Sequence, residues 1–155
     1  MHQDFHVLVD ALHPKFEALV VAPPIRFGAL PRDLPQRGIY LFSEDQRHLY
    51  VGRTNRLRTR LQNHCRPSGT HLSATFAFRI ARADTGLSAA SYKTEDGRAS
   101  LGKHPVFGPA FVAAKARVAR MDIRCVEETD PVRQALLEIY IATVLQTQFN
   151  DFDNH

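Results

Sequence analysis

One short stretch of the chain carries side chains able to grip a phosphodiester and move protons: Tyr40, Tyr50, Arg60 and His64. A phenol can accept or donate a proton, a guanidinium offers paired donors to phosphate oxygens, and an imidazole titrates near neutrality. They lie within Gly38–His64, GIYLFSEDQRHLYVGRTNRLRTRLQNH. A further carboxylate of interest, Glu138, sits far downstream in an apolar run.

Two kinds of element must position these groups. Gly38-Ile39-Tyr40 and Tyr50-Val51-Gly52 are rich in aromatic and β-branched residues and read as strands. The polar break from Ser43 to Arg47 has the chemistry of a hairpin turn. For the tyrosines to act together they must share a face, and an odd loop length achieves this by setting Tyr40 opposite Tyr50. After Gly52 the period changes to helical. Thr54 or Asn55 can cap the helix, Leu57, Leu61 and Cys65 form its apolar stripe, and Arg56, Arg60 and His64 form a second row.

The stretch resembles the GIY-YIG nuclease family. The family's first triplet is matched by Gly38-Ile39-Tyr40 and its second by Tyr50-Val51-Gly52, while its helix arginine is matched by Arg60. The resemblance implies an α+β fold, a small antiparallel three-stranded sheet flanked by helices, and a metal-dependent hydrolase of DNA phosphodiester bonds. It also implies one Mg²⁺ or Mn²⁺ ion, Tyr40 as general base, Tyr50 orienting water or phosphate, and Arg60 clamping the scissile phosphate. A free phenol titrates near pH ~10, so a base role for Tyr40 needs a nearby cation. His64 often closes the family's helix, and His71 matches a histidine in some members; they are rivals for a part in proton transfer. The residue after the second triplet is often lysine in relatives and here is Arg53, which can contact phosphate but cannot readily act as a base.

Glu138 stands on a helix that Asp130 caps and Pro131 begins, running to about Thr147. An unpaired carboxylate among apolar side chains is costly. One reading is an edge residue that reaches water or pairs with an arginine; the other is a metal ligand, which the resemblance favours. The resemblance also implies a bracing role for Asn150, with Asn154 a weaker candidate.

Elsewhere, residues 4–20 read as two helical pieces, with Pro14 marking either the break or the first turn of the second. The proline-rich connector from 22 to 36 leads into the first strand. Residues 71–82 fit both a strand period and a helix period, and the resemblance favours a helix. A short helix is expected from Thr94 and a longer one over 105–121, with Lys115, Arg117 and Arg120 on its outer faces, and Asp122–Glu127 alternates as the third strand. We expect a single domain over 1–155, with residues 1–37 a helical extension and connector and 84–121 a helical insert beyond the minimal family domain.

Charge distribution agrees with an anionic partner. From Gln46 to Ala83 there is no Asp or Glu, while eight arginines fall in that span. A field of one sign attracts a polyanion, and arginine favours bidentate phosphate contacts. Arg53, Arg56, Arg58, Arg66 and Lys115 are the candidate nucleic-acid contacts, with single- or double-stranded DNA the expected partner and a homodimer or protein partner open. No apolar run is long enough for a membrane span, and the N-terminus lacks a secretory pattern. Cys65 and Cys125 make no disulfide framework, so a cytoplasmic location is expected. Two further readings compete: an inactive nucleic-acid-binding module on the same scaffold, and an interaction domain docking its basic stretch on an acidic protein.

Overall fold

Asp45 and Gln46 both take positive φ, 49° and 63°, and this two-residue turn folds β1 (Gly38–Glu44) back onto β2 (Arg47–Thr54). Positive φ at both central positions is what a tight right-twisted hairpin requires. The computed structural model describes residues 1–87 and 97–152. The helix expected at Thr94 and the alternative Asn154 lie outside the described residues.

The fold is α+β. Its antiparallel three-stranded sheet has the order β2-β1-β3, with β3 spanning Asp122–Glu127. Helices flank it, with extra N-terminal helices α1 (Gln3–Asp10) and α2 (Leu12–Val21). In chain order there follow α3 (Leu57–Cys65), α4 (Thr75–Thr85), α5 (Arg98–Leu101), α6 (Phe107–Val118) and α7 (Pro131–Leu145). By contact, the chain divides into two compact units, residues 1–59 with 121–155, and residues 60–120.

In the first unit, Ile39, Leu41 and Val51 face a core completed by Leu12 and Leu19 of α2 and by Leu137, Ile141 and Ala142 of α7. Both outer sheet edges are partly covered. Ile25 exchanges backbone hydrogen bonds with Ile123 on β3 at 2.8 and 2.9 Å, and the chain after α7 covers β2, as described below. The break between α1 and α2 falls at Ala11, which keeps αR geometry, and Pro14 sits in the first turn of α2. There its missing N–H costs nothing, since first-turn donors have no intrahelical acceptor.

The second unit contains the rest of α3 and α4 to α6. Its core includes Phe78, Phe107 and Phe111, with ring centroids 5.0 to 6.2 Å apart. Residues 75–85 are helical. Phe76, Ala77, Phe78, Ile80 and Ala81 of α4 are all buried and form a broad apolar face at helical spacing, which decides between the two periods.

Candidate active site

The register of the hairpin decides how its two tyrosines meet. Near the turn Glu44 pairs with Arg47 and Ser43 with His48; beyond an irregularity, Phe42 pairs with Tyr50 and Tyr40 with Gly52. The expectation that Tyr40 lies directly opposite Tyr50 is therefore corrected: the two are diagonal neighbours. The cause is a bulge that leaves Leu49 without a partner on β1. A two-residue turn with an unbroken ladder would put the tyrosines on opposite faces, and one extra residue reverses the parity of β2 and returns them to the same face. The rings stand 6.3 Å apart, tilted by 46°.

Gly52 lies under the first of these rings. A Cβ at position 52 would fall 2.3 Å from the Tyr40 hydroxyl oxygen and 2.4 Å from its Cζ. Gly38 is equally constrained: its φ is +150°, and a Cβ would meet the Val126 carbonyl oxygen at 2.1 Å. The glycines of both triplets thus have steric reasons, one admitting the phenol and the other admitting β3. Tyr40 itself is 1% exposed.

Asn150 braces the strand that carries Tyr50. Its Oδ1 accepts from the Val51 N–H at 2.9 Å and its Nδ2 donates to the Val51 carbonyl at 2.8 Å. The side chain thus completes the outer hydrogen bonds of an edge strand as another strand would. Thr147 Oγ1 donates to the same Oδ1 at 2.8 Å, and the Phe149 N–H reaches the Leu49 carbonyl at 3.0 Å. The participation of Thr147 was invisible in the sequence, where only its nearness to Asn150 could have suggested it.

Glu138, on the α7 helix whose Leu137 is in the core, accepts at Oε2 from Arg53 Nε at 3.1 Å, with the two side chains 22% and 47% exposed. The carboxylate thus makes the arginine pairing weighed for it in the sequence. Among the described residues no three His, Cys, Asp or Glu side chains converge as a metal-binding group. A single hard carboxylate at a partly open position does fit Mg²⁺, which commonly takes one or two carboxylates and completes its octahedron with water and substrate phosphate oxygens. Arg56 and Arg58 are exposed at the start of α3, and the Arg58 guanidinium donates to the Pro31 carbonyl.

The remaining predicted residues belong to the second unit. Arg60 Nη1 donates to the Ser73 carbonyl at 3.0 Å and Nη2 to Thr75 Oγ1 at 2.9 Å, tying α3 to the start of α4. His64 is fully buried. Burial, with the Arg60 charge as a second cause, holds its pKa well below the ordinary imidazole value. It is thus neutral at pH 7, not the cation that a histidine near a helix C-terminus would ordinarily favour. His71 lies half-buried in the turn before α4, and Arg66 is exposed in the loop after α3.

Lys115 departs from its expected position on an outer face of α6. It is 8% exposed, and its Nζ donates to the carbonyls of Pro67 and Gly69 at 2.5 and 3.0 Å. It also lies 4.7 Å from the centre of the Phe111 ring. Both cysteines are free thiols, and burial pushes each up to about 12, which leaves them poor nucleophiles at neutral pH.

Residues 36–95 match the family model described as the GIY-YIG catalytic domain. The matched segment holds both triplets, the bulged hairpin, α3 with Arg60, and α4. It supports a nuclease-like scaffold and, at the level of the family, enzymatic potential and interaction with nucleic acid. Glu138 and Asn150 lie beyond it. Comparisons with curated proteins and with solved structures gave no match. Among the described residues no helix is long and apolar enough to cross a membrane.

Proposed function

We propose that the chain is a metal-dependent endonuclease that hydrolyses DNA phosphodiester bonds. The observation that supports this most strongly is the Tyr40 phenol lying across Gly52 beside Tyr50. A strand that forgoes a side chain to fix a phenol is better explained by a role for the hydroxyl than by packing alone.

In this reading Tyr40, as a phenolate favoured by a neighbouring cation, accepts the proton of the attacking water, and Tyr50 orients that water or the phosphate. Glu138 would hold a single Mg²⁺ or Mn²⁺ ion, which when bound supplies Lewis-acid stabilisation of the charge that develops on phosphate and leaving oxygen. Asn150 holds the Tyr50 strand in place and does no chemistry. The phosphate clamp assigned to Arg60, and a part in proton transfer for His71 or His64, rest on the resemblance. The buried neutral ring of His64 makes His71 the better of the two. Arg53, Arg56, Arg58 and Arg66 contact the DNA backbone. Lys115 contributes at one remove, by holding the loop that follows Arg66. Two free thiols suit a reducing, cytoplasmic setting.

The competing reading is an inactive nucleic-acid-binding module. The 1% exposure of Tyr40 and the engagement of Glu138 by Arg53 both favour it. Labelled single-stranded and duplex DNA, incubated with the protein in Mg²⁺ or in EDTA, separates the two. The nuclease cuts in Mg²⁺ alone, and Tyr40→Phe binds DNA but does not cut. Binding without cleavage of either substrate by the wild-type chain supports the module.

A further inference from the structure

Arg53 occupies an unusual position. It directly follows the second triplet on β2, it is the most exposed member of its ion pair, and it reaches Glu138 through Nε alone. We infer that Arg53 is an exchangeable counter-ion that couples metal binding at Glu138 to nucleic-acid binding. It holds one oxygen of the carboxylate in the free protein and passes to a substrate phosphate when DNA arrives. This inference rests on the metal-ligand reading of Glu138 given above.

Three physical points carry it. First, the contact is a single N–H···O bond between partly exposed groups, and such pairs contribute little, so breaking one is easy. A buried, fork-to-fork pair would instead be a fixed structural element. Second, a guanidinium within hydrogen-bond distance of a carboxylate both competes for its oxygen and repels an approaching dication. Arg53 therefore lowers the metal affinity of the free protein. Third, arginine forms strong bidentate contacts with phosphate, and one of its two edges for doing so is that of Nε and one Nη. Nε is the atom now engaged by Glu138. Binding to phosphate through that edge and binding to Glu138 exclude one another, so DNA relieves the competition at the carboxylate. By linkage, metal must then strengthen DNA binding by the same factor.

A lysine in this position would make a different device. Its ammonium is a point charge without a fixed edge, and it can contact carboxylate and phosphate together. The Arg53→Lys variant therefore keeps the repulsion of the metal but weakens the mutual exclusion.

The test measures metal affinity, not turnover. Mn²⁺ is titrated calorimetrically into the wild-type chain, Arg53→Gln, Arg53→Lys and Glu138→Gln, each checked for folding by circular dichroism. Arg53→Gln should bind Mn²⁺ about two- to fivefold more tightly than wild type, the range expected for releasing an exposed pair, and Arg53→Lys should fall between. In a Tyr40→Phe background, which prevents cutting, the gain in affinity for a labelled oligonucleotide on replacing EDTA with Mn²⁺ should be larger with Arg53 than with Gln at that position. Equal or weaker Mn²⁺ binding by Arg53→Gln, with binding still dependent on Glu138, overturns the inference and leaves the nuclease reading intact. Absence of any Glu138-dependent Mn²⁺ binding overturns the metal assignment and the inference with it.

Discussion

The Tyr40 phenol rests on Gly52, its register partner on the neighbouring strand, so closely that a methyl group on Gly52 would lie 2.3 Å from the phenolic oxygen. The sheet face, the ring and the glycine form one unit. Gly52→Ala must displace the ring or the strand, and overpacking of this kind costs about 1–3 kcal/mol. Urea unfolding of the variant measures it. Unchanged stability contradicts the packing described, and in the nuclease reading cleavage falls along with stability.

Asn150→Ala removes both side-chain bonds to Val51 and exposes the edge of β2. The expected loss is about 1–3 kcal/mol, as for other polar groups left without their partners. Amide hydrogen exchange gives the specific signature: the Val51 N–H loses protection before other β2 amides. Asn150→Asp keeps the acceptor but loses the donor, and should restore part of that protection.

What the sequence reveals depends on the range of the interaction. The hairpin, α3 and α7 could be read because their signals are local: β-branched triplets, a polar turn, and Asp130-Pro131 opening a helix, with Asp130 Oδ1 accepting from the Arg133 N–H at 2.8 Å. The diagonal placement of the tyrosines could not, because it depends on where the ladder slips, and Leu49 carries no mark of a bulge. Arg53 and Glu138 lie 85 residues apart in sequence, and Asn150 and Val51 lie 99 apart. For Asn150 only the family resemblance signalled a role, and for Arg53 nothing signalled its partner. Lys115 shows the opposite failure. Its place in a helix with other basic residues suggested solvent, yet two loop carbonyls draw its amine inward.

That difference between Lys115 and the exposed arginines is testable through salt dependence. Each phosphate contact contributes close to one counterion to the slope of log affinity against log salt. Arg56→Ala should reduce that slope by about 1 with little change in stability. Lys115→Met should leave the slope nearly unchanged and lower stability by about 1–3 kcal/mol, since two carbonyls lose their donor. The reverse pattern would mean that Lys115 contacts DNA directly.

His64 predicts an acid-side loss of stability. Its folded pKa is depressed, first by burial and then by Arg60, so the unfolded chain binds the proton more readily. Its contribution is fully present above about pH 6.5, the unfolded value, and is lost as pH falls from there toward the folded pKa. The slope for one such proton is at most about 1.4 kcal/mol per pH unit. His48 is shifted in the same direction by burial and Arg124 and adds to the effect. Chemical denaturation from pH 7.5 to 5 should show this decline, with a shallower slope in His64→Gln. An equal slope in that variant contradicts a neutral, buried His64.

Metal-dependent hydrolysis through Glu138 is tested by comparing wild type with Glu138→Ala on labelled single-stranded and duplex DNA, in Mg²⁺ and in EDTA. Circular dichroism confirms that the variant is folded, and anisotropy confirms that it still binds DNA. Wild type should cut in Mg²⁺ only and the variant not at all, as the assignment of the metal to Glu138 requires. Cutting that persists in Glu138→Ala, or that survives EDTA, contradicts it.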